Sequence, residues 1–85
     1  MIRKTIVVEH DFEDYSKLAS SLVQKASRFS SLLWIEEGAK RVNAKSIMGV
    51  LSMHFNRGDS FDLICNGGDE EKAAAVIEEL FTKGK

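Results

Sequence analysis

The chain has 85 residues, in which twelve lysines and arginines nearly balance thirteen aspartates and glutamates and leave a formal net charge of −1. A chain of this length predicts a single domain over residues 1–85, and folding would bury somewhat over ~60% of its unfolded surface. The balanced charge excludes the strong basic field that would favour direct binding to nucleic acid or to an anionic membrane.

Cysteine content and hydropathy indicate the cellular compartment in which the protein is expected. The single cysteine, Cys65, excludes an internal disulfide framework and a multi-cysteine zinc site, and it fits a reducing compartment. The apolar runs fall far short of the ~20 residues that span a bilayer, and the first residues lack the apolar core of a signal peptide. We therefore expect a soluble, cytoplasmic protein with no membrane association, no cofactor and no metal.

The hydrophobic periodicity predicts seven elements in the order β-α-β-β-α-β-α. Strands are expected at residues 2–9, 32–37, 40–43 and 61–66, with the first strand near an edge of the sheet. Helices are expected at 17–28, from 47 to about 53, and after residue 69, with N-caps at Ser16 or Asp14, at Ser46 and at Asp69. The third helix has an apolar stripe formed by Ala73, Val76, Ile77, Leu80 and Phe81. This order favours an α+β fold, in which three helices cover one face of a four-stranded antiparallel sheet.

The segment 43–53 is the most informative stretch of the chain. Ser46 is a natural N-cap, and the apolar residues after it, at spacings of three and four, cover more than one face of a short helix. One small core cannot absorb them all, so we expect Val50 and Met53 to be buried and the remainder to form an exposed docking surface beside the Ser46 hydroxyl. That surface consists of Ile47, Met48 and Leu51.

Two motifs carry a resemblance to a known family. Asn43-Ala44-Lys45-Ser46-Ile47-Met48-Gly49 resembles the regulatory-serine motif of the HPr family, the small phosphocarriers of the bacterial sugar phosphotransferase system, and is closer still to its Crh-like catabolite-repression members. Gly67-Gly68-Asp69-Glu70-Glu71-Lys72-Ala73 is similar to the family's Gly-x-Asp-Glu-x-x-Ala before the last helix. The resemblance extends over most of the chain and implies the HPr-like open-faced β-sandwich, with the order βαββαβα.

The resemblance also implies partners. It indicates that the HPr kinase/phosphorylase phosphorylates Ser46, and that the phosphoserine binds a CcpA-like transcriptional regulator of carbon use. In the family the exposed side of this helix helps to bind both proteins. Phosphate would add roughly −1.5 to −2 charge at pH 7, part of which Lys45 would neutralise. The residues expected to contact partners are Ile47, Met48, Leu51, Lys17 and Lys45.

The family's phosphate-accepting histidine is missing. It lies within Gly-x-His-Ala-Arg-Pro-Ala at the start of the first helix, which by count from Ser46 and Asp69 falls on residues 13–19 of this chain. Only Ala19 is kept. The replacements are Tyr15 for the histidine, Lys17 for the arginine and Leu18 for the proline.

These replacements predict that phosphocarrier activity is absent. A phenol with a pKa near ~10 is a poor nucleophile at neutral pH without a base. Lys17 lacks the planar, bidentate fork with which arginine holds phosphate. Glu13 and Asp14 add like charge where an incoming phosphoryl group would sit.

Several alternatives remain open. Besides a regulatory protein phosphorylated on Ser46, the chain could be a phosphocarrier with a relocated acceptor, for which His10 lies near the old site. It could also be an unmodified binding module in which Ser46 is only a cap. His10 and His54 otherwise fit solvated loop positions, and neither has a metal-ligand spacing. No Ser/His/Asp or Cys/His set indicates an enzyme. Trp34, on the open side of the sheet, predicts either cross-strand packing or a homodimer contact.

Overall fold

The computed structural model describes residues 1–84, which form four strands and three helices in the predicted order. The strands are β1 (Ile2–Val7), β2 (Leu32–Glu37), β3 (Lys40–Asn43) and β4 (Ser60–Asn66). The helices are α1 (Tyr15–Ala26), α2 (Ile47–Ser52) and α3 (Glu70–Lys83). The predicted bounds of β2 and β3 are confirmed. Helix α1 begins two residues earlier than expected because Asp14 is its N-cap, and it ends two residues earlier, at Ala26.

The four strands form one antiparallel sheet in the order β1-β4-β2-β3, so that β1 lies at an edge, as predicted. Alternate side chains of each strand point to the helices and are buried, for example Leu33 and Ile35 in β2. The helices cover that face, and the fold is the predicted α+β open-faced sandwich. Within residues 1–84, no helix has both the length and the apolar character needed to cross a membrane.

The core lies between the sheet and the helices and is closed at one end by aromatic rings. Phe61 packs against Phe55 and Phe81 with ring centroids 4.7 and 4.8 Å apart. In α3 the predicted stripe is correct except at Val76, which is only half-buried, while Ala74 is buried.

The prediction that Asp69 caps α3 is correct in position but wrong in its hydrogen bonds. The Asp69 side chain makes no capping bond to α3. Its carboxylate instead accepts from the backbone N–H groups of Ser30 at 2.9 Å and Ser31 at 3.0 Å, and from the Ser31 hydroxyl. These bonds lower the pKa of Asp69 to about 2, with the Ser31 hydroxyl as the largest cause. Asp69 therefore ties α3 to the connection between α1 and β2.

The open face of the sheet is covered by charged side chains that pair with one another. The Arg3 guanidinium bonds Asp62 at 2.7 Å and Glu36 at 3.1 Å. The guanidinium of Arg41 lies 5.4 Å from the centre of the Trp34 ring. Trp34 is thus held by a cross-strand neighbour on β3, in agreement with the packing alternative.

Candidate functional site

Ser46 begins α2 directly after the turn that follows β3. The turn is closed by Asn43, whose carbonyl accepts from the Ser46 N–H at 3.0 Å and whose side-chain oxygen accepts from the Lys45 N–H at 2.9 Å. The Ser46 hydroxyl oxygen accepts from the Gly49 N–H at 3.2 Å. This confirms the predicted N-cap, and the side chain stays half-exposed.

The two sides of α2 differ sharply in exposure. Val50 and Met53 are 1% and 2% exposed, whereas Met48 is 76% exposed. Ile47 and Leu51 are exposed by 40% and 43%, and they lie one turn apart on the outer side. The predicted division into a buried and an exposed side is confirmed. We refer to Ile47, Met48 and Leu51 as the α2 patch.

Gly49 allows α2 to lie close to β3. A Cβ atom at this position would be 3.2 Å from the Val42 Cβ and 3.5 Å from the Ser46 hydroxyl oxygen. The first contact is tighter than ordinary van der Waals packing, so with a side chain here Val42 or the helix would have to shift by a few tenths of an ångström. The absence of a side chain also leaves the Ser46 hydroxyl uncovered from this direction.

Two lysines bind backbone carbonyls around α2. The Lys45 ammonium donates to the Phe29 carbonyl at 2.6 Å, so in the unmodified chain it is already bound away from Ser46. The Lys40 ammonium donates to the Ser52 carbonyl at 2.7 Å, at the C-terminal end of α2. Sequence reasoning missed Lys40, because nothing in the local pattern of β3 shows which carbonyl a lysine will reach. Lys17 is exposed in the first turn of α1.

Tyr15 is the first residue of α1 and is half-buried. Its hydroxyl donates to the Val50 carbonyl at 2.8 Å. Burial, reinforced by the negative charge of Glu37, raises the pKa of Tyr15 to about 12. At neutral pH the phenol is therefore protonated, and its proton lies in the hydrogen bond to the Val50 carbonyl of α2.

The Asp14 carboxylate lies at the N-terminal end of α1. It accepts from the Ser16 N–H at 3.0 Å and from the Ser16 hydroxyl at 2.6 Å, and these bonds lower its pKa. The Asp14 carbonyl accepts from the Lys17 and Leu18 N–H groups. The first-turn N–H groups of residues 16–18 thus bond to a single residue, and a fixed negative charge lies beside them.

The two histidines lie in different surroundings. The His54 ring tilts over Tyr15, with centroids 4.8 Å apart. His10 packs against Phe12 at 5.0 Å and lines an open groove with Asp14 and Lys17. Both are exposed, as predicted. Sequence reasoning placed only His10 near the family site, since no pattern joins positions as far apart as Tyr15 and His54.

Other chemistry is limited over residues 1–84. No cluster of three or more His, Cys, Asp or Glu side chains there could hold a metal ion. Cys65 is buried, and this burial raises the pKa of its thiol to about 11, so it is not an activated nucleophile.

Comparison with known proteins places these features in a family. The model of the PTS-HPr family, described as the PTS HPr component phosphorylation site, matches residues 2–83. The phosphocarrier protein HPr of Treponema pallidum is 41% identical over 81 residues, which cover 95% of this chain and 92% of that protein. The HPr-like protein Crh of Halalkalibacterium halodurans is 40% identical over 83 residues, which cover 98% of this chain and 99% of that protein.

Solved structures of HPr and Crh proteins have the same fold as this chain. The crystal structure of HPr-C-His from Thermoanaerobacter tengcongensis superposes with a TM-score of 0.88 at 37% identity and covers 100% of this chain and 98% of its own. Crh of Bacillus subtilis superposes with a TM-score of 0.74 at 32% identity, covering 100% and 97% of the two chains. That structure is described as an intertwined dimer with a swapped domain.

Proposed function

The chain belongs to the PTS-HPr family, and we propose that it is a regulatory member that acts through phosphorylation of Ser46 rather than as a phosphocarrier. One observation carries the proposal. A half-exposed serine hydroxyl lies beside the α2 patch, so a modifying enzyme and a later partner would find the hydroxyl and the apolar contacts on the same surface.

The proposed reaction is transfer of the γ-phosphoryl group of ATP to the Ser46 hydroxyl by an HPr kinase/phosphorylase. The oxygen–phosphorus bond to ADP breaks, a bond to the serine oxygen forms, and the serine proton leaves to a base of the kinase. The product carries about −1.5 to −2 charge and three strong acceptor oxygens at pH 7.

The proposed partner of the phosphorylated form is a CcpA-like transcriptional regulator of carbon use. Phosphoserine would supply a charge for a basic group of the regulator, and the α2 patch would supply apolar area. Met48 suits this role because an exposed, unbranched thioether adapts to partners of different shape. The regulator would bind the unmodified chain more weakly at the α2 patch, since unmodified Ser46 lacks the charge of the phosphate.

The surroundings of Tyr15 support the absence of phosphocarrier activity. Its phenol is protonated and donates to the Val50 carbonyl, so a phosphoryl acceptor there would first have to break that bond. The Asp14 carboxylate adds a negative charge that would repel an incoming phosphoryl group.

The test is phosphorylation with ATP and an HPr kinase/phosphorylase, followed by mass spectrometry of the labelled peptide. We expect one phosphate per chain on wild type and none on Ser46→Ala. Ser52→Ala is the matched control, because Ser52 is an exposed serine at the other end of α2. Equal labelling of wild type and Ser46→Ala would contradict the proposal.

A phosphocarrier with a relocated acceptor is the second candidate, and the contact between His54 and Tyr15 favours it. Phosphoenolpyruvate with Enzyme I would then give acid-labile phosphate that is lost in His54→Gln but kept in His10→Gln. We expect no acid-labile phosphate in any of the three proteins. Labelling that depends on either histidine would establish the carrier function instead.

A homodimer is proposed separately, on the support of the related Crh, whose structure is described as a dimer. The open face around Trp34 carries charges that already pair within the chain, so it offers little for a second copy. Light scattering after gel filtration tests the proposal, and a single monomeric mass over a wide range of concentrations would refute it.

A further inference from the structure

Lys45 links the regulatory serine to a distant connection of the chain. The residue lies directly before Ser46, and its side chain crosses to the Phe29 carbonyl, sixteen residues away. Phe29 lies between the end of α1 and the start of β2 and packs against the core. The ammonium is half-buried and donates at 2.6 Å. We refer to residues 29–31, which lead into β2, as the 29–31 connection. Its first residue is therefore held by the ammonium of Lys45, the residue directly before Ser46.

The other end of the same connection is held by an anion. The Asp69 carboxylate accepts from the backbone N–H groups of Ser30 and Ser31 at 2.9 and 3.0 Å. The short 29–31 connection is thus fixed between two charged side chains, one beside α2 and one beside α3. Losing either bond would leave the backbone groups of this connection more open to water.

We propose that Lys45 is an internal switch that exchanges the Phe29 carbonyl for the phosphate when Ser46 is phosphorylated, an inference that rests on the proposed function above. A bond between ammonium and phosphate is charged on both sides and is stronger than one from ammonium to a neutral carbonyl. Lys45 adjoins Ser46 in the chain, and the four-carbon stem of lysine is flexible, so its ammonium would change partner by rotation of the side chain. Phosphorylation then releases the 29–31 connection at its Phe29 end.

Lys45 is favoured over the other lysine at this helix. Lys40 is bound at the C-terminal end of α2, to the Ser52 carbonyl, away from the serine. Phe29 is itself only partly buried, and its bond to Lys45 is part-buried, so water would replace the ammonium at the released carbonyl. Phosphorylation of Ser46 would therefore change two parts of the surface. It adds charge beside the α2 patch, and it removes the Lys45 hydrogen bond from the 29–31 connection.

The experiment compares isotopically labelled wild type with protein that carries phosphoserine at position 46, incorporated during translation so that no kinase is needed. We expect the Phe29 carbonyl ¹³C resonance to shift towards that of a carbonyl without its ammonium donor. We also expect the Ser30 and Ser31 amide protons to exchange severalfold faster. An unchanged Phe29 carbonyl resonance would overturn the proposal.

Lys45→Met is the matched variant, since it keeps the apolar stem and removes the ammonium. Without phosphate it should reproduce the Phe29 shift of the phosphorylated wild type, and phosphoserine should then add no further change at residues 29–31. A further change in this variant would assign the effect to another group. Lys45→Gln provides the same comparison if the methionine variant folds poorly. Failure of kinase labelling in the earlier assay would remove the proposed function but leave this measurement valid.

Discussion

The Tyr15 hydroxyl donates a 2.8 Å hydrogen bond to the Val50 carbonyl, and so joins the first turn of α1 to the helix that Ser46 begins. The same carbonyl accepts from the Met53 N–H at 3.1 Å, at the end of α2. The Val50 N–H in turn donates to the Ser46 carbonyl at 2.9 Å. The position at which the family resemblance expects a phosphate acceptor is thus occupied by a residue that connects two helices.

Removing this hydroxyl should weaken the fold without opening a cavity. Tyr15→Phe keeps the ring contacts with His54 and Phe55 and leaves the Val50 carbonyl with one donor. We expect a loss of about 1 kcal/mol in the free energy of unfolding. For a domain of this size that lowers the melting temperature by roughly 4–8 °C. Urea denaturation measures the loss, and a variant as stable as wild type would show that the bond contributes nothing.

The Tyr15 phenol should lose its proton at a higher pH than an ordinary tyrosine. Tyr15 is the only tyrosine, so the ultraviolet absorbance of phenolate reports it directly. Burial and the charge of Glu37 raise its pKa to about 12 from an ordinary value of 10.0. Because the folded pKa is the higher one, this contribution to stability is complete below about pH 10 and is lost as the pH rises towards 12.

The titration has a control in the same chain. Denatured protein should titrate near the ordinary value of 10.0. Glu37→Gln should lower the folded pKa only slightly, since burial is the larger cause. A folded pKa at the ordinary value would mean that the ring is more exposed than the structure shows.

The extent to which sequence predicted this site follows from the distances along the chain. The N-cap at Ser46, the strand at residues 40–43 and the exposure of Met48 all depend on neighbours within about four positions, where periodicity and capping rules apply. The bond from Lys45 to Phe29 spans sixteen positions, and no local pattern encodes it. The same holds for Asp69, whose carboxylate accepts hydrogen bonds from serines 38 and 39 positions earlier in the chain and none from its own helix.

Asp69 should set the acid limit of the fold. Its pKa is lowered to about 2 from 3.8, so its contribution to stability is complete above about pH 4 and is lost as the pH falls towards 2. Asp69→Asn should be less stable at neutral pH and should lose less additional stability between pH 4 and pH 2 than wild type. Urea midpoints across this range measure both effects.

Glu71→Gln supplies the comparison for Asp69, since it neutralises an exposed carboxylate in the first turn of the same helix. Its urea midpoint at neutral pH should lie closer to that of wild type than the midpoint of Asp69→Asn does. An acid dependence that is the same in Asp69→Asn and wild type would assign the acid limit to another carboxylate.

Two adjacent glycines should respond differently to the same change. A Cβ at Gly67 would lie 2.5 Å from the Ser31 hydroxyl oxygen and 2.6 Å from the Ser31 Cα, whereas at Gly68 it would meet no atom within 4 Å. Gly67→Ala should therefore cost about 1–3 kcal/mol or more of stability, because backbone has to move. Gly68→Ala should be close to neutral. Thermal melts of the two variants suffice, and equal stability would contradict the close approach of Ser31.

The last prediction concerns the α2 patch. Met48 is 76% exposed, so Met48→Ala should leave the stability of the free protein unchanged while it removes apolar contact area from the proposed interface. For a residue near the centre of an interface, we expect a loss of about 1.4 kcal/mol, or roughly tenfold weaker binding of the Ser46-phosphorylated protein to a CcpA-like regulator. Calorimetric titration measures this loss. Leu32→Ala is the matched control, since Leu32 is 54% exposed at the start of β2, outside the patch, and it should bind like wild type. If both variants bind equally well, the regulator reads the phosphate alone and the apolar side of α2 has another role.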